Sequence, residues 1–181
     1  MNNANKTQAQ RLGVDIGKVI ISADTDNPSR TIFGKEFLQT PEVEGAMSTI
    51  RSLHNRPRWS EIFLVSKCGV EIQQRTILWL EQHHFYERTG VKRENVYFCR
   101  ERSEKAMIAS RLLLTQFIDD KMDILRLMPP SVWGKILFAP DKKVEPSYDV
   151  TIAKSWDDID DILTNDRWPR RVTGSTSHAI V

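Results

Sequence analysis

Short apolar runs recur along this 181-residue chain, and between them the apolar residues fall at helical rather than alternating spacing. The runs are Leu12–Ile16, Ile62–Val65, Val96–Cys99, Phe117–Ile118, Ile136–Phe138 and Val150–Ala153. Each is too short for a helix and reads as a strand, and Ile62–Val65, apolar throughout and bounded by polar residues, reads as a buried one. Helices are predicted between them. Pro41 suits a first helical position ahead of Val43, Ala46, Met47, Ile50 and Leu53; a second helix takes in Ile72, Ile77, Leu78 and Leu80, with Gly90 in the connection after it. Ser103 is an expected N-cap for a helix carrying Ala106, Ile108, Leu112 and Leu113, and Ser155 for one carrying Trp156, Ile159, Ile162 and Leu163. Alternating strands and helices imply an α/β fold with a mainly parallel sheet and helices on both faces. In such sheets ligands bind at the carboxyl ends of the strands.

Composition sets further limits. An apolar fraction of 40%, a charged fraction of 28% and a formal net charge of +2 describe a globular domain. Basic residues are interleaved with acids, so nucleic acid is not indicated as a partner. No stretch reaches the roughly 18 apolar residues of a membrane span, and Met1–Gln10 lacks the apolar core of a secretory signal, so the expected location is cytoplasmic, with no membrane partner. Cys68 and Cys99 form no close metal-ligand pair and fit reduced core thiols, a disulfide remaining open. Residues 1–10 read as a disordered lead-in, 11–165 as the domain and 166–181 as a mobile, initially basic tail that includes Arg167, Arg170 and Arg171. Ser22–Arg30 has turn chemistry throughout and reads as a loop or small flap.

The strand-end rule turns positions into a candidate site. Asp15, Ser66 and the pair Asp119–Asp120 close the first, second and fourth predicted strands, and Lys105 lies near the start of a helix. Singly, these are ordinary cap, turn and surface residues. Together they supply carboxylates, a hydroxyl and an ammonium at the edge where an α/β sheet holds its ligand.

Their order resembles the haloacid dehalogenase-like superfamily. Leu12-Gly13-Val14-Asp15-Ile16-Gly17-Lys18-Val19-Ile20 is similar to its first motif, Phe63-Leu64-Val65-Ser66 to the second, Lys105 to the third and Phe117-Ile118-Asp119-Asp120 to the fourth. Response-regulator receivers also carry an acidic pair, but ahead of the phosphorylated Asp rather than after it. The resemblance covers about residues 11–163 and implies a Rossmannoid three-layer α/β/α sandwich and a Mg²⁺-dependent phosphohydrolase. By it, Asp15 would attack phosphorus and become an aspartyl phosphate, Ser66 would hold a phosphoryl oxygen and Lys105 would offset the charge. The Asp15 carboxylate, the Gly17 carbonyl and Asp120 would hold Mg²⁺, with Asp119 a ligand directly or at one remove.

Two departures bear on function. Active phosphatases of the superfamily usually carry a second Asp two residues after the nucleophile, which protonates the leaving group and then activates water; here that position is Gly17. A positioned general acid or base contributes about 10²–10⁴-fold, so the chain is expected to be either a phosphohydrolase of low or specialised activity or a degenerate domain that binds phosphate or a partner without turnover. Leaving groups that depart without a proton would be least affected. Asp24 and Asp26 in the flap are alternative acids, though also natural turn formers. Further, the spaces between motifs hold no cap domain, so the site should be open, suiting a bulky or macromolecular phosphorylated substrate or closure by a partner subunit in a homo-oligomer. His83 and His84 are adjacent and so do not share a helix face, which argues against a metal pair. Trp59, Trp79, Trp133, Trp156 and Trp168 are scattered and read as core or edge packing.

Overall fold

A computed structural model of the chain describes residues 10–23, 26–140, 149–165 and 167–168. Its strands are β1 (Gln10–Val14), β2 (Trp59–Lys67), β3 (Val96–Cys99), β4 (Gln116–Asp119), β5 (Gly134–Phe138) and β6 (Val150–Ala153). They form one six-stranded sheet in the order β3-β2-β1-β4-β5-β6, and every pairing is parallel. The fold is therefore an α/β Rossmannoid sandwich, as its alternating pattern implies.

Strand order reverses direction at β1. Parallel crossovers are right-handed, so a reversal sends the later helices to the opposite face. The helices are α1 (Ala46–His54), α2 (Val70–Gln82), α3 (Phe85–Thr89), α4 (Arg102–Arg111), α5 (Met122–Leu127) and α6 (Trp156–Asn165). One core joins Ile50 and Leu53 of α1 to Trp79 of α2, Phe85 of α3 and Ile159 of α6. The other joins Ile108 of α4 and Leu125 of α5 to Phe117 and Leu137 of the sheet. These are the two faces of a three-layer sandwich.

Several local expectations are corrected. Helix α1 starts at Ala46, not behind Pro41; Ser22 N donates to Pro41 O, and Ile21 bridges Glu42, so this stretch is extended pairing. Glu101, not Ser103, caps α4, and the Glu104 carboxylate accepts the Arg100 and Glu101 amides at 2.7 and 3.1 Å, the reciprocal role that stabilises a helix start. Leu113 is exposed with a positive φ of 54° because it closes the helix rather than packing under it. Ile77 and Leu78 point outward while Thr76, Trp79 and Leu80 are buried, so α2 is rotated from the expected face. Ser155 does cap α6, its hydroxyl accepting Asp158 N at 3.2 Å. Gln10, grouped by composition with the lead-in, opens β1 and is buried. Within the predicted tail, Arg167 and Trp168 dock on the domain: Arg167 pairs with Asp161 at 2.7 Å, and Trp168 packs edge-on against Trp133. Residues 1–9, 166 and 169–181, Arg170 and Arg171 among them, lie outside the described residues.

Among the glycines near β1, the demands are opposite. A Cβ on Gly13 would lie 2.5 Å from the Phe117 ring and 2.6 Å from Leu114, whereas one on Gly17 meets nothing within 4 Å among the described residues, and Gly17 has no positive φ. Gly13↔Phe117 is a register pair, so the missing side chain lets that ring lie across β1. Gly13→Ala is therefore expected to destabilise by about 1–3 kcal/mol through overpacking, and Gly17→Ala to shift stability by no more than about 0.5–1 kcal/mol, in the stabilising direction. Urea midpoints at constant m-value measure both.

Candidate active site

Asp15 directly follows β1, and its amide donates to Ile118 O at 2.9 Å, so the ladder with β4 runs on to it. Asp119 is the last residue of β4 and Asp120 the next. β1 and β4 are the neighbours between which strand order reverses, and the crevice at such a switch point is where doubly wound sheets bind ligands. Lys105 enters from α4. It shares a helix face with Ile108, Ala109 and Leu112, all buried against the sheet, and its ammonium lies 5.8 Å from the centroid of the Phe117 ring.

At the crevice, Lys105 Nζ donates to Asp15 Oδ1 at 2.6 Å and to Asp119 Oδ2 at 2.7 Å, with all three side chains buried. The other Asp119 oxygen accepts the Lys121 amide at 2.9 Å. Both Asp119 oxygens are thus engaged, which makes this residue the anchor of Lys105. Asp120 is only partly buried and pairs with Lys121 Nζ at 2.9 Å. Burial raises the Asp15 carboxyl above the ordinary range, against the lowering effect of Lys105. Burial, followed by the Asp15 charge, raises Asp119 to about 7. Burial works against the Lys105 ammonium, but Asp15 and then Asp119 outweigh it and hold its pKa above the ordinary value.

Asp15, Asp119 and Asp120 each offer an oxygen within 4.8 Å of the others. Oxygens about 2.0–2.1 Å from an octahedral Mg²⁺ stand about 2.9 Å apart when adjacent and about 4.1 Å apart when opposite. A small contraction would bring the three to that spacing, and hard oxygen donors are the chemistry Mg²⁺ prefers. Charge favours it too. With all three acids ionised, the ammoniums of Lys105 and Lys121 leave an excess negative charge in a buried crevice. The residues present therefore fit a divalent cation.

A cavity of about 220 Å³ is lined by Asp15, Gly17, Ser66, Lys105, Asp119 and Asp120, so the sequence-predicted residues converge on one space. Arg102 joins this wall and pairs with Asp123, a contact hidden from sequence because α5 is too short to show a period. The alternative acids do not join them: Asp26 is exposed and away from the cavity, and Asp24 lies outside the described residues. His83 stacks on Trp79 at 4.0 Å and its Nε2 meets Leu38 O at 2.9 Å, a structural role; His84 is exposed with a φ of 52°. Both cysteines are free. Cys99 packs in the α4–α5 core, while Cys68 lines a cleft beside α2. Among the described residues, no helix is long and apolar enough to cross a membrane.

Two tryptophans do more than fill the core. Trp156 Nε1 donates to Val19 O and Trp79 Nε1 to Thr40 O, each at 2.8 Å and buried. They fasten both ends of the loop that leaves β1 and passes the cavity. Periodicity marks such residues as core, and only the fold reveals which carbonyl each indole meets.

Neither a scan against protein-family models nor a search of curated proteins finds a match to this chain.

The raised Asp119 carboxyl has a direct thermodynamic consequence. The folded protein keeps a proton there between the unfolded value of 3.8 and about 7, where the unfolded chain has lost it. More protons on the native state mean stability falls as pH rises through that window. Without divalent cations, the urea midpoint is expected to decline between about pH 4 and pH 7. Asp119→Asn leaves one carboxylate for one ammonium, so its decline should be markedly shallower.

Proposed function

We propose that this chain belongs to the haloacid dehalogenase-like superfamily and is a Mg²⁺-dependent phosphohydrolase of low or specialised activity, acting through an aspartyl phosphate at Asp15. The observation that carries this reading is the convergence of Asp15, Gly17, Ser66, Lys105 and Asp120 on one cavity at the strand-order reversal. Phosphoryl transfer asks little covalent chemistry of a protein; it needs a positioned nucleophile and fixed positive charge around the phosphoryl oxygens.

Asp15 supplies the nucleophile, held in place by its bond to Lys105. Lys105 offsets the charge that gathers as two anions approach, and Asp119 keeps that ammonium in position. The Ser66 hydroxyl holds a phosphoryl oxygen. Asp15, Asp120 and the Gly17 carbonyl are the Mg²⁺ ligands, with Asp119 behind them because both its oxygens are engaged. Bound Mg²⁺ supplies charge neutralisation between the carboxylate and the phosphate. The expected substrate is a phosphorylated compound, reached through a site with no cap domain over it.

Gly17 favours a second reading, a domain that binds phosphate or a partner without turnover, since no carboxylate stands there to move a proton. The open space around Gly17 makes the two readings separable. Calorimetry should give a Mg²⁺ site that Asp120→Ala loses. Asp15→Asn should abolish hydrolysis while circular dichroism stays unchanged. Gly17→Asp should raise turnover of alkyl phosphates by up to about 10²-fold, the lower end of a general acid's contribution. Mg²⁺ binding with no hydrolysis by any of these proteins would leave the binding-domain reading in place.

A further inference from the structure

A larger hollow of about 440 Å³ adjoins the acidic cavity, and Gly17, Ser66, Lys67, Asp120 and Lys121 line both. Beyond that common wall the lining is mostly apolar, with Ile21, Ile32, Phe33 and Ile72 contributing. Phe33 is 73% exposed although its loop is anchored. Arg75 of α2 donates from Nη1 to Gly34 O at 2.8 Å and Ile32 O at 3.4 Å, the carbonyls on either side of it. Glu71 braces that guanidinium at 2.7 Å. An aromatic ring kept exposed by a fastened loop, beside an apolar cleft, is a surface shaped for a ligand.

The chemistry at the common wall narrows the ligand. Gly17 belongs to both compartments. Among the described residues the one carboxyl on the common wall, Asp120, is paired with Lys121 and is a proposed Mg²⁺ ligand, so an ester oxygen passing from one compartment to the other meets no free acid there. A group leaving there must depart as an anion. Phenols, like the tyrosine side chain, ionise near pH 10, whereas alkoxides approach the basicity of hydroxide, whose parent water has a pKa of about 15.7. A nucleoside monophosphate would fill the cleft but must expel an alkoxide. Acetyl phosphate leaves readily but is too small to fill it. An aryl phosphate meets both demands, and the cleft lies in the lower part of the ~300–1,000 Å³ range of small-molecule sites.

We infer that the cleft beside Phe33 and Ile72 receives the aromatic leaving group of a small aryl phosphate monoester whose phosphate occupies the Asp15 cavity. The inference rests on the phosphohydrolase reading and names its substrate class. An Asp15 oxygen forms a bond to phosphorus as the phosphorus–aryl oxygen bond breaks, and the electron pair leaves on the aryl oxide, which takes its proton from solvent. Water then attacks the aspartyl phosphate, returning the carboxylate and releasing dihydrogen phosphate with both of the water's protons. Gly17 offers no base to that water, so the second step is the slow one.

The test uses the full chain with Mg²⁺ and compares 1-naphthyl phosphate, acetyl phosphate, adenosine monophosphate and a phosphotyrosine peptide. Naphthyl phosphate should show the highest kcat/KM of the esters and a burst of about one naphthol per protein, the fingerprint of an accumulating covalent intermediate. Phe33→Ala and Ile72→Ala should each lower kcat/KM for naphthyl phosphate about tenfold more than for acetyl phosphate. In Asp15→Asn, which cannot turn over, tryptophan fluorescence should show naphthyl phosphate binding at least about tenfold tighter than inorganic phosphate, with Phe33→Ala removing the difference. Equal losses on both substrates, or faster turnover of adenosine monophosphate, would overturn the cleft assignment while leaving the phosphohydrolase intact. Preference for the peptide over free naphthyl phosphate would overturn the small-molecule source. If none is hydrolysed and no phosphoenzyme forms, both readings fall together.

Discussion

Two carboxylates on adjacent strands, both buried, repel each other unless something cationic stands between them, and here that something is one ammonium. Lys105 bonds to Asp15 at the end of β1 and to Asp119 at the end of β4, so it joins the strands between which the sheet changes direction. Much of the surrounding sequence serves that placement. The carboxylates of Glu101 and Glu104 fix the start of α4, Phe117 provides an aromatic floor near the ammonium, and Gly13 leaves room for that ring. A buried ion pair is weak evidence of added stability, because desolvation consumes most of its attraction. Its value lies in geometry: it decides where each carboxylate points.

How much of this was legible beforehand depended on the range of the signal. Apolar runs mark buried strands because burial on two faces leaves no polar alternation, and all six predicted strands are present. Asp15, Ser66, Lys105, Asp119 and Asp120 could be singled out because strand ends are sites in this architecture. What sequence missed was local competition or distant contact. Ser103 is a good capping residue, but Glu101 and Glu104 form the reciprocal pair first. Leu113 has a core residue's chemistry and a helix terminator's position. Helices α3 and α5 span five and six residues, too few for a period to emerge. The separate roles of Asp119 and Asp120 depend on which oxygens Lys105 and the Lys121 amide occupy, and no spacing encodes that.

The apolar cleft escaped for the same reason. Its walls come from the segment between β1 and α1, from the end of β2 with α2, and from Asp120 and Lys121 after β4, three regions far apart in sequence that meet only after folding. Arg75 looks like a solvated helix residue, yet it holds the carbonyls of Ile32 and Gly34 and lies 5.2 Å from the Phe37 ring centroid. Gly17 looks like a turn glycine, yet its backbone needs no glycine and its surroundings leave a side chain free space. The absence of a side chain at Gly17 is therefore not imposed by the turn.

The central place of β1 also orders events at the ribosome. Its two neighbours are β2 and β4, and the second begins at Gln116. Until more than half the chain has emerged, the first strand has one edge with unpaired amides and carbonyls, the kind of edge that recruits other chains. During that interval Asp119, the anchor of Lys105, is not yet beside Asp15. Closing this edge and assembling the acidic crevice are thus the same folding event, because one strand, β4, supplies both the missing pairing partner and Asp119.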